Sequence, residues 1–165
     1  MTNFNSSQTP LISGKTVITY GTFDLFHIGH LNMLERLSEM GETLIVAVST
    51  DEFNAKKGKE SFYPYQERAK IVSALSCVDK VIPEQSWEQK ADDIKQYSVD
   101  IFGIGDDWKG EFDHLDALCQ VIYLPRTPSI STTSVKKNLS NLDSDKIQQI
   151  KAGLDSVLSI VKAIE

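Results

Sequence analysis

The sequence predicts an α/β chain, a doubly wound parallel sheet of five strands with helices on both faces and a C-terminal helix. Three observations carry this. Short β-rich runs alternate with amphipathic stretches of about ten residues, the pattern of successive βαβ units. The run LIVAV at 44–48 is apolar without a break, as in a strand buried on both faces. The chain has 165 residues, of which 41% are hydrophobic and 24% charged, ordinary usage for one globular domain with a short appendage.

Taken in order, 16–20 (TVITY) is the first strand. A helix over 28–40 follows, with Leu31, Leu34 and Leu37 at helical spacing and Gly41 where a C-terminal cap belongs. The second strand is 44–49. A polar stretch with Lys56, Lys57, Gly58 and Lys59 leads to a helix over 64–75. Strands at 80–82, 100–104 and 121–124 then alternate with helices at 87–97 and 111–118. The tail differs: Ile147, Ile150, Leu154, Val157, Val161 and Ile164 step by 3 and 4, a heptad-like stripe. It reads either as a terminal helix covering its own domain or as a seam for a second copy. The chain thus divides into an N-terminal extension (1–14), a core α/β domain (15–142) and an amphipathic helix (143–165).

The net charge of −6 argues against a general nucleic-acid binder. Residues 80–118 hold ten acidic and four basic side chains, which leaves the rest neutral, thirteen against thirteen. Contacts to an anion are therefore expected from the two ends rather than from the acidic middle. Cys77 and Cys119 form no CxxC or His-rich pattern, so neither a structural zinc site nor a disulfide framework is expected. No run is long enough to span a bilayer, and 1–14 carries no Lys, Arg or apolar stretch of a secretory signal. A reduced, cytoplasmic protein is the expectation.

Two motifs mislead. Ser13-Gly14-Lys15-Thr16 imitates the end of a P-loop, but it precedes a strand and lacks the earlier glycine. Gly103-Ile104-Gly105 begins like a dinucleotide fingerprint without its third glycine, and is expected to make a tight turn at a strand end.

The chemistry concentrates in Gly21-Thr22-Phe23-Asp24-Leu25-Phe26-His27-Ile28-Gly29-His30, between the first strand and the first helix. In open parallel sheets ligands bind beyond the carboxyl ends of strands. Gly21 permits a sharp turn and a close backbone approach. The amides that follow and the helix N-terminus suit phosphate. His27 and His30, three apart, share one face of the first helical turn. Two imidazoles there can donate hydrogen bonds to phosphoryl oxygens and take up charge as negative charge develops. A cap, a buried hydrogen-bonded ring or a metal pair are the other readings of such histidines, and the sequence offers no third metal ligand. Asp24 fits local turn bonding as well as ligand contact. Asp106 and Asp107 follow the fourth strand, where one can hold ribose, base or hydrated Mg²⁺ and the other can cap a helix. Lys56 and Lys59 lie in the loop after the second strand, and Arg68 on the helix behind it.

TFDLFHIGH resembles the HxGH motif of the small nucleotidyltransferases, and Arg126-Thr127-Pro128-Ser129-Ile130-Ser131-Thr132-Thr133 is similar to their second motif, RTxGISTT, about a hundred residues later. YGTFDL, STDEFN, WEQK, GDDW and YLPRT resemble the glycerol-3-phosphate cytidylyltransferase branch. The likeness covers roughly 17–137. Ser129 departs from it, standing where the family has glycine. The resemblance implies a Rossmann-like fold and transfer of a cytidylyl group from CTP to sn-glycerol 3-phosphate. The acceptor oxygen attacks the α-phosphorus in line and pyrophosphate leaves; the product, CDP-glycerol, serves teichoic acid or capsule synthesis. It also implies Mg²⁺ arriving with CTP, a homodimer, and no nucleic acid or membrane insertion.

Residue by residue, it implies a catalytic set of His27, His30, Arg126 and Lys59. The nucleotide would lie against Gly21, Thr22, Phe23, His27, His30, Asp107, Arg126, Thr127, Ile130, Ser131 and Thr132. The acceptor would lie against Asp24, Lys56, Lys59 and Arg68. No protein-held metal is implied. Sister enzymes using ATP with a sugar or flavin phosphate, or CTP with phosphoethanolamine, share the chemistry, and a non-catalytic nucleotide-binding module is the reading from another class.

Overall fold

The computed structural model describes residues 14–128 and 131–162, with side chains for all of these except 141–145, 150 and 154–162. Ser129, Ile130 and the N-terminal extension to Ser13 lie outside the described residues, as does the apolar stripe from Ile150 onward. Five strands, β1 (Thr16–Gly21), β2 (Thr43–Ser49), β3 (Lys80–Glu84), β4 (Ile101–Gly105) and β5 (Gln120–Leu124), form one sheet in the order β3-β2-β1-β4-β5. Every strand pair is parallel. The chain winds outward from β1 to β3, then returns to lay β4 on the other side of β1. That reversal opens a crevice beyond the carboxyl ends of β1 and β4, the place where doubly wound sheets hold ligands.

Alternate residues of each strand serve opposite faces. On one face Val17, Leu44, Val46, Val48 and Ile101 pack with Leu34 and Leu37 of α1 (Ile28–Ser38) and with Val72 of α3 (Tyr65–Ser73). On the other, Ile18, Tyr20, Ile45, Ala47 and Phe102 meet Ile94 of α4 (Gln89–Gln96) and Phe112 and Leu115. β2 has cover on both sides, which is why its run is continuously apolar. A Cβ on Gly103 would lie 2.1 Å from Leu37 Cδ2. Gly103 is therefore a mid-strand close-packing residue that lets α1 approach β4, and not part of the expected tight turn.

Two elements differ from expectation. Asp51–Lys56 forms a short helix, α2, within the polar stretch, capped by the Thr50 hydroxyl accepting from the Phe53 amide at 3.2 Å. Six residues are too few to show a helical period in sequence. Conversely, 111–118 is not an α-helix but a 3₁₀ turn, Asp113–Ala117. Its acids bond elsewhere, Asp116 accepting from the Val121 amide at 3.0 Å and Asp113 from the Tyr123 hydroxyl at 2.7 Å. Such side-chain bonds compete with a helical ladder.

The chain separates into two compact units, 1–129 and 130–165. In the second, one helix, α5 (Thr132–Lys162), runs through positions 142 and 143, where the sequence suggests a boundary. Its start is a reciprocal cap: the Ser131 hydroxyl accepts from the Ser134 amide at 3.1 Å, and the Ser134 hydroxyl from the Ser131 amide at 3.0 Å.

Candidate active site

The loop joining β1 to α1 is built from bulky residues in unusual geometry. Phe23 and Leu25 have φ of 51° and 47°, the left-handed region that L side chains rarely adopt. These two residues, and not Gly21, make the sharp turn. Gly21 serves by lacking a side chain, because a Cβ there would come within 2.9 Å of the Phe23 ring.

His27 is the N-cap of α1, its Nδ1 accepting from the Gly29 amide at 3.1 Å. An accepting Nδ1 carries no proton, so the neutral ring holds its hydrogen on Nε2 as a donor. The cap and the phosphate donor are thus compatible functions of one imidazole. The His30 ring stacks on it, centroids 3.9 Å apart and planes 18° from parallel, with Phe23 and Phe26 rings each 5.4 Å away. Burial pushes the His30 pKa down to about 4, the neighbouring His27 adding to the shift and Asp24 opposing it. Burial lowers His27 as well. Burial thus favours the neutral form of both rings, so they meet a polyanion as hydrogen-bond donors rather than as resident cations. The buried Nδ1 of His30 has no hydrogen-bond partner among the described residues.

Asp24 and Arg68 fasten this loop from behind. The buried Asp24 carboxylate accepts from the amides of Phe62 at 2.8 Å and Tyr63 at 3.1 Å. Arg68 is wholly buried and donates to the carbonyls of Tyr63 (2.9 Å) and Thr22 (2.6 Å) and to Asp51 Oδ1 (2.7 Å). One guanidinium so ties the β1–α1 loop, the 61–64 connection and the start of α2 together. The geometry gives both residues a positioning part beside the acceptor contact that the resemblance implies.

Across the carboxyl ends of β1 to β4 runs a cleft lined by Tyr20, Gly21, Thr22, Ser49, Lys57, Lys59, Glu84, Trp87, Lys90, Ile104 and Trp108. Lys59 is exposed at its rim, its ammonium 5.8 Å from the Trp108 ring. Lys56 is exposed on α2 and is not brought into the cleft; its neighbour Lys57 is. Sequence reasoning passed over Lys57, Glu84 and Lys90 as site residues. For Lys57 a signal existed: it stands four residues after the buried Phe53, and its ammonium lies 4.3 Å from that ring.

At the other side of the crevice Arg126 pairs with Asp107 at 2.5 Å, joining the segments that follow β5 and β4. Both side chains are about half exposed, so the pair adds little stability and the guanidinium can exchange partners. Thr127 accepts from Asn32 Nδ2 at 3.4 Å, which links that segment to α1. Ser131 and Thr132 begin α5 in the second compact unit, and Ile130 is outside the described residues. Among the described residues no three His, Cys, Asp or Glu side chains gather as a metal site.

The profile of a family described as cytidylyltransferase-like matches residues 18–138. A glycerol-3-phosphate cytidylyltransferase of Bacillus spizizenii is 56% identical over 128 residues, 78% of this chain and 99% of that protein. One from Staphylococcus aureus is 53% identical over 130 residues, 79% of this chain and 98% of its own. In structure, a lipopolysaccharide core biosynthesis protein of Thermoplasma volcanium superposes with a TM-score of 0.61, over 68% of this chain and 98% of that one. At 22% identity it shows a shared fold alone.

Proposed function

The chain belongs to the cytidylyltransferase-like family, and from that premise we propose that it transfers the cytidylyl group of CTP to sn-glycerol 3-phosphate. CDP-glycerol and pyrophosphate are the products, the former a precursor for teichoic acid or capsule. The observation that carries this is the stacked His27–His30 pair at the start of α1, just past the carboxyl end of β1, in a chain that matches such enzymes over nearly their whole length.

The reaction is an in-line displacement. An oxygen of the acceptor phosphate forms a bond to the α-phosphorus of CTP as the bond to the bridging oxygen breaks, and the electron pair leaves with pyrophosphate. The protein must hold two mutually repelling anions in line and stabilise the charge on the transferring group. His27 donates from Nε2 to a phosphoryl oxygen, and the stacked His30 fixes the plane of that ring. Lys57 and Lys59 supply positive charge at the cleft, and Arg126 offers a planar fork to phosphate. Gly21, Thr22 and Phe23 border the nucleotide, with Asp107 and Thr127 on its other flank. Asp24 and Arg68 hold the loop on which the acceptor rests. CTP would enter as its magnesium complex, and the metal would offset charge between the phosphates without a dedicated set of protein ligands. The working protein is a cytoplasmic homodimer; among the described residues no helix is long and apolar enough to cross a membrane.

The test is pyrophosphate release on a matrix of four nucleoside triphosphates and several acceptors: glycerol 3-phosphate, phosphoethanolamine, a sugar phosphate and FMN. CTP with glycerol 3-phosphate gives the dominant rate. Activity with ATP alone identifies a sister enzyme, and CTP binding without turnover identifies a binding module.

A further inference from the structure

We propose that Glu84, the last residue of β3, is a positioning residue that holds the Lys57 ammonium at the cleft. This rests on the functional reading above, in which Lys57 faces the phosphates.

The geometry is that of a hub. Glu84 is 2% exposed, and its carbonyl accepts from the Thr50 amide at 2.9 Å, which pins the strand end to the start of α2. One carboxylate oxygen, Oε1, takes Lys90 Nζ at 2.6 Å. The other, Oε2, accepts a short hydrogen bond from the Ser49 hydroxyl and lies 3.7 Å from Lys57 Nζ. Lys57 in turn donates to the Ser49 oxygen at 2.9 Å. Ser49 therefore relays the carboxylate to the lysine and fixes its direction. Lys90 is itself buried, its ammonium 4.4 Å from the Tyr20 ring and 4.7 Å from that of Trp87.

Burying three charges at a strand end is costly, and apolar residues there would give equal or greater stability. The arrangement does something apolar residues cannot. One carboxylate between two ammonium groups leaves an excess positive charge; Lys90 is fully buried, whereas the Lys57 side chain lines the cleft and keeps about a tenth of its surface exposed. The groups facing Lys57 are Glu84 of β3, Lys59 after α2, Lys90 of α4, and the rings of Phe53 and Trp87. Burial and the two lysines push its pKa down, while Glu84 pushes it up. Glu84 is the one carboxylate among them.

The experiment compares pH profiles of kcat and kcat/KM for wild type, E84Q and E84D, and repeats E84Q in a K57M background. Activity that needs cationic Lys57 falls as pH rises through the lysine's pKa. In E84Q that alkaline limb moves down by roughly one pH unit or more, because the carboxylate charge that supports Lys57 alongside Lys90 has gone. E84D keeps the charge but is one methylene short, so its limb stays in place while kcat drops. In K57M, where the lysine is already absent, E84Q costs less than about threefold further. An unmoved limb in E84Q overturns the proposal, and so does an equal loss with and without Lys57. Should E84Q not fold, E84D decides: wild-type kinetic constants in E84D overturn it. A wild type inactive on CTP and glycerol 3-phosphate removes the substrate assignment instead, and the pH dependence of CTP affinity in E84Q then reads the same limb by calorimetry.

Discussion

His27 combines a backbone cap and a ligand-facing donor in one ring, and substitution can separate them. Asparagine is among the best N-cap residues, whereas alanine is among the poorest. H27N is expected to melt near wild type and H27A to lose about 1 kcal/mol of stability. Turnover in both should fall at least ~100-fold, the scale of losing one transition-state donor. Pyrophosphate release beside thermal melts checks this, and near-normal turnover in a folded H27N would remove the ring from the chemistry. His30 makes a pH prediction. Its folded pKa of about 4 lies below the ordinary 6.5, so the unfolded chain binds the extra proton between those values. Stability is fully present above pH 6.5 and is lost as pH falls toward 4. Melts of H30Q should show a flatter slope between pH 6.5 and 5 than wild type.

At this scale the sequence revealed residue types better than their duties. The histidine pair was legible as a pair because two imidazoles three apart share one face of a helical turn, and the rings do stack. That Asp24 and Arg68 brace a loop was not, since Asp24 accepts from an amide 38 residues away and Arg68 donates to a carbonyl 46 residues away. Main-chain amides and carbonyls leave no trace in residue identity. Lys57 was hidden among Lys56 and Lys59 because the helix that orients it is under two turns long.

Elements were read best where burial imposes a period. The five strands and the α1 stripe follow from packing on a sheet, and each was visible in its apolar pattern. Asp113–Ala117 failed because its carboxylates prefer bonds outside the turn, information held in β5 rather than in the segment. The contact of α1 with β4 supplies a prediction at this scale. G103A forces a methyl into Leu37 and should cost about 1–3 kcal/mol. L37A alone opens a cavity and should cost roughly 2–5 kcal/mol. Because the added methyl fills part of the space that Leu37 vacates, the double variant should be destabilised by less than the two losses together. Chemical denaturation of the four proteins measures it, and strict additivity would mean that the glycine is there for some other reason.

For the whole molecule, strand order decides where the cationic groups can meet. Lys57, Lys59 and Lys90 come from segments separated by β3 and α3, yet the sheet brings them to one edge, while the acidic stretch 80–118 contributes Glu84 and Asp107 to that edge and much of the remainder to solvent. The proposed homodimer belongs to this scale too. If the heptad-like stripe of the tail is the seam, deleting the residues after Asp143 yields a soluble monomer by sedimentation. A truncated chain that still dimerises places the interface elsewhere, and one that aggregates shows the tail to be a cover for its own core.

Phe23 and Leu25 add one thing more. Left-handed geometry in two large side chains costs on the order of 1–3 kcal/mol each, so the hairpin bend presenting the imidazoles persists only while Asp24, Arg68 and the packed Phe23 ring restrain it. It is a sprung catch rather than a rigid hook: release one restraint and the bend relaxes while the sheet under it stays whole.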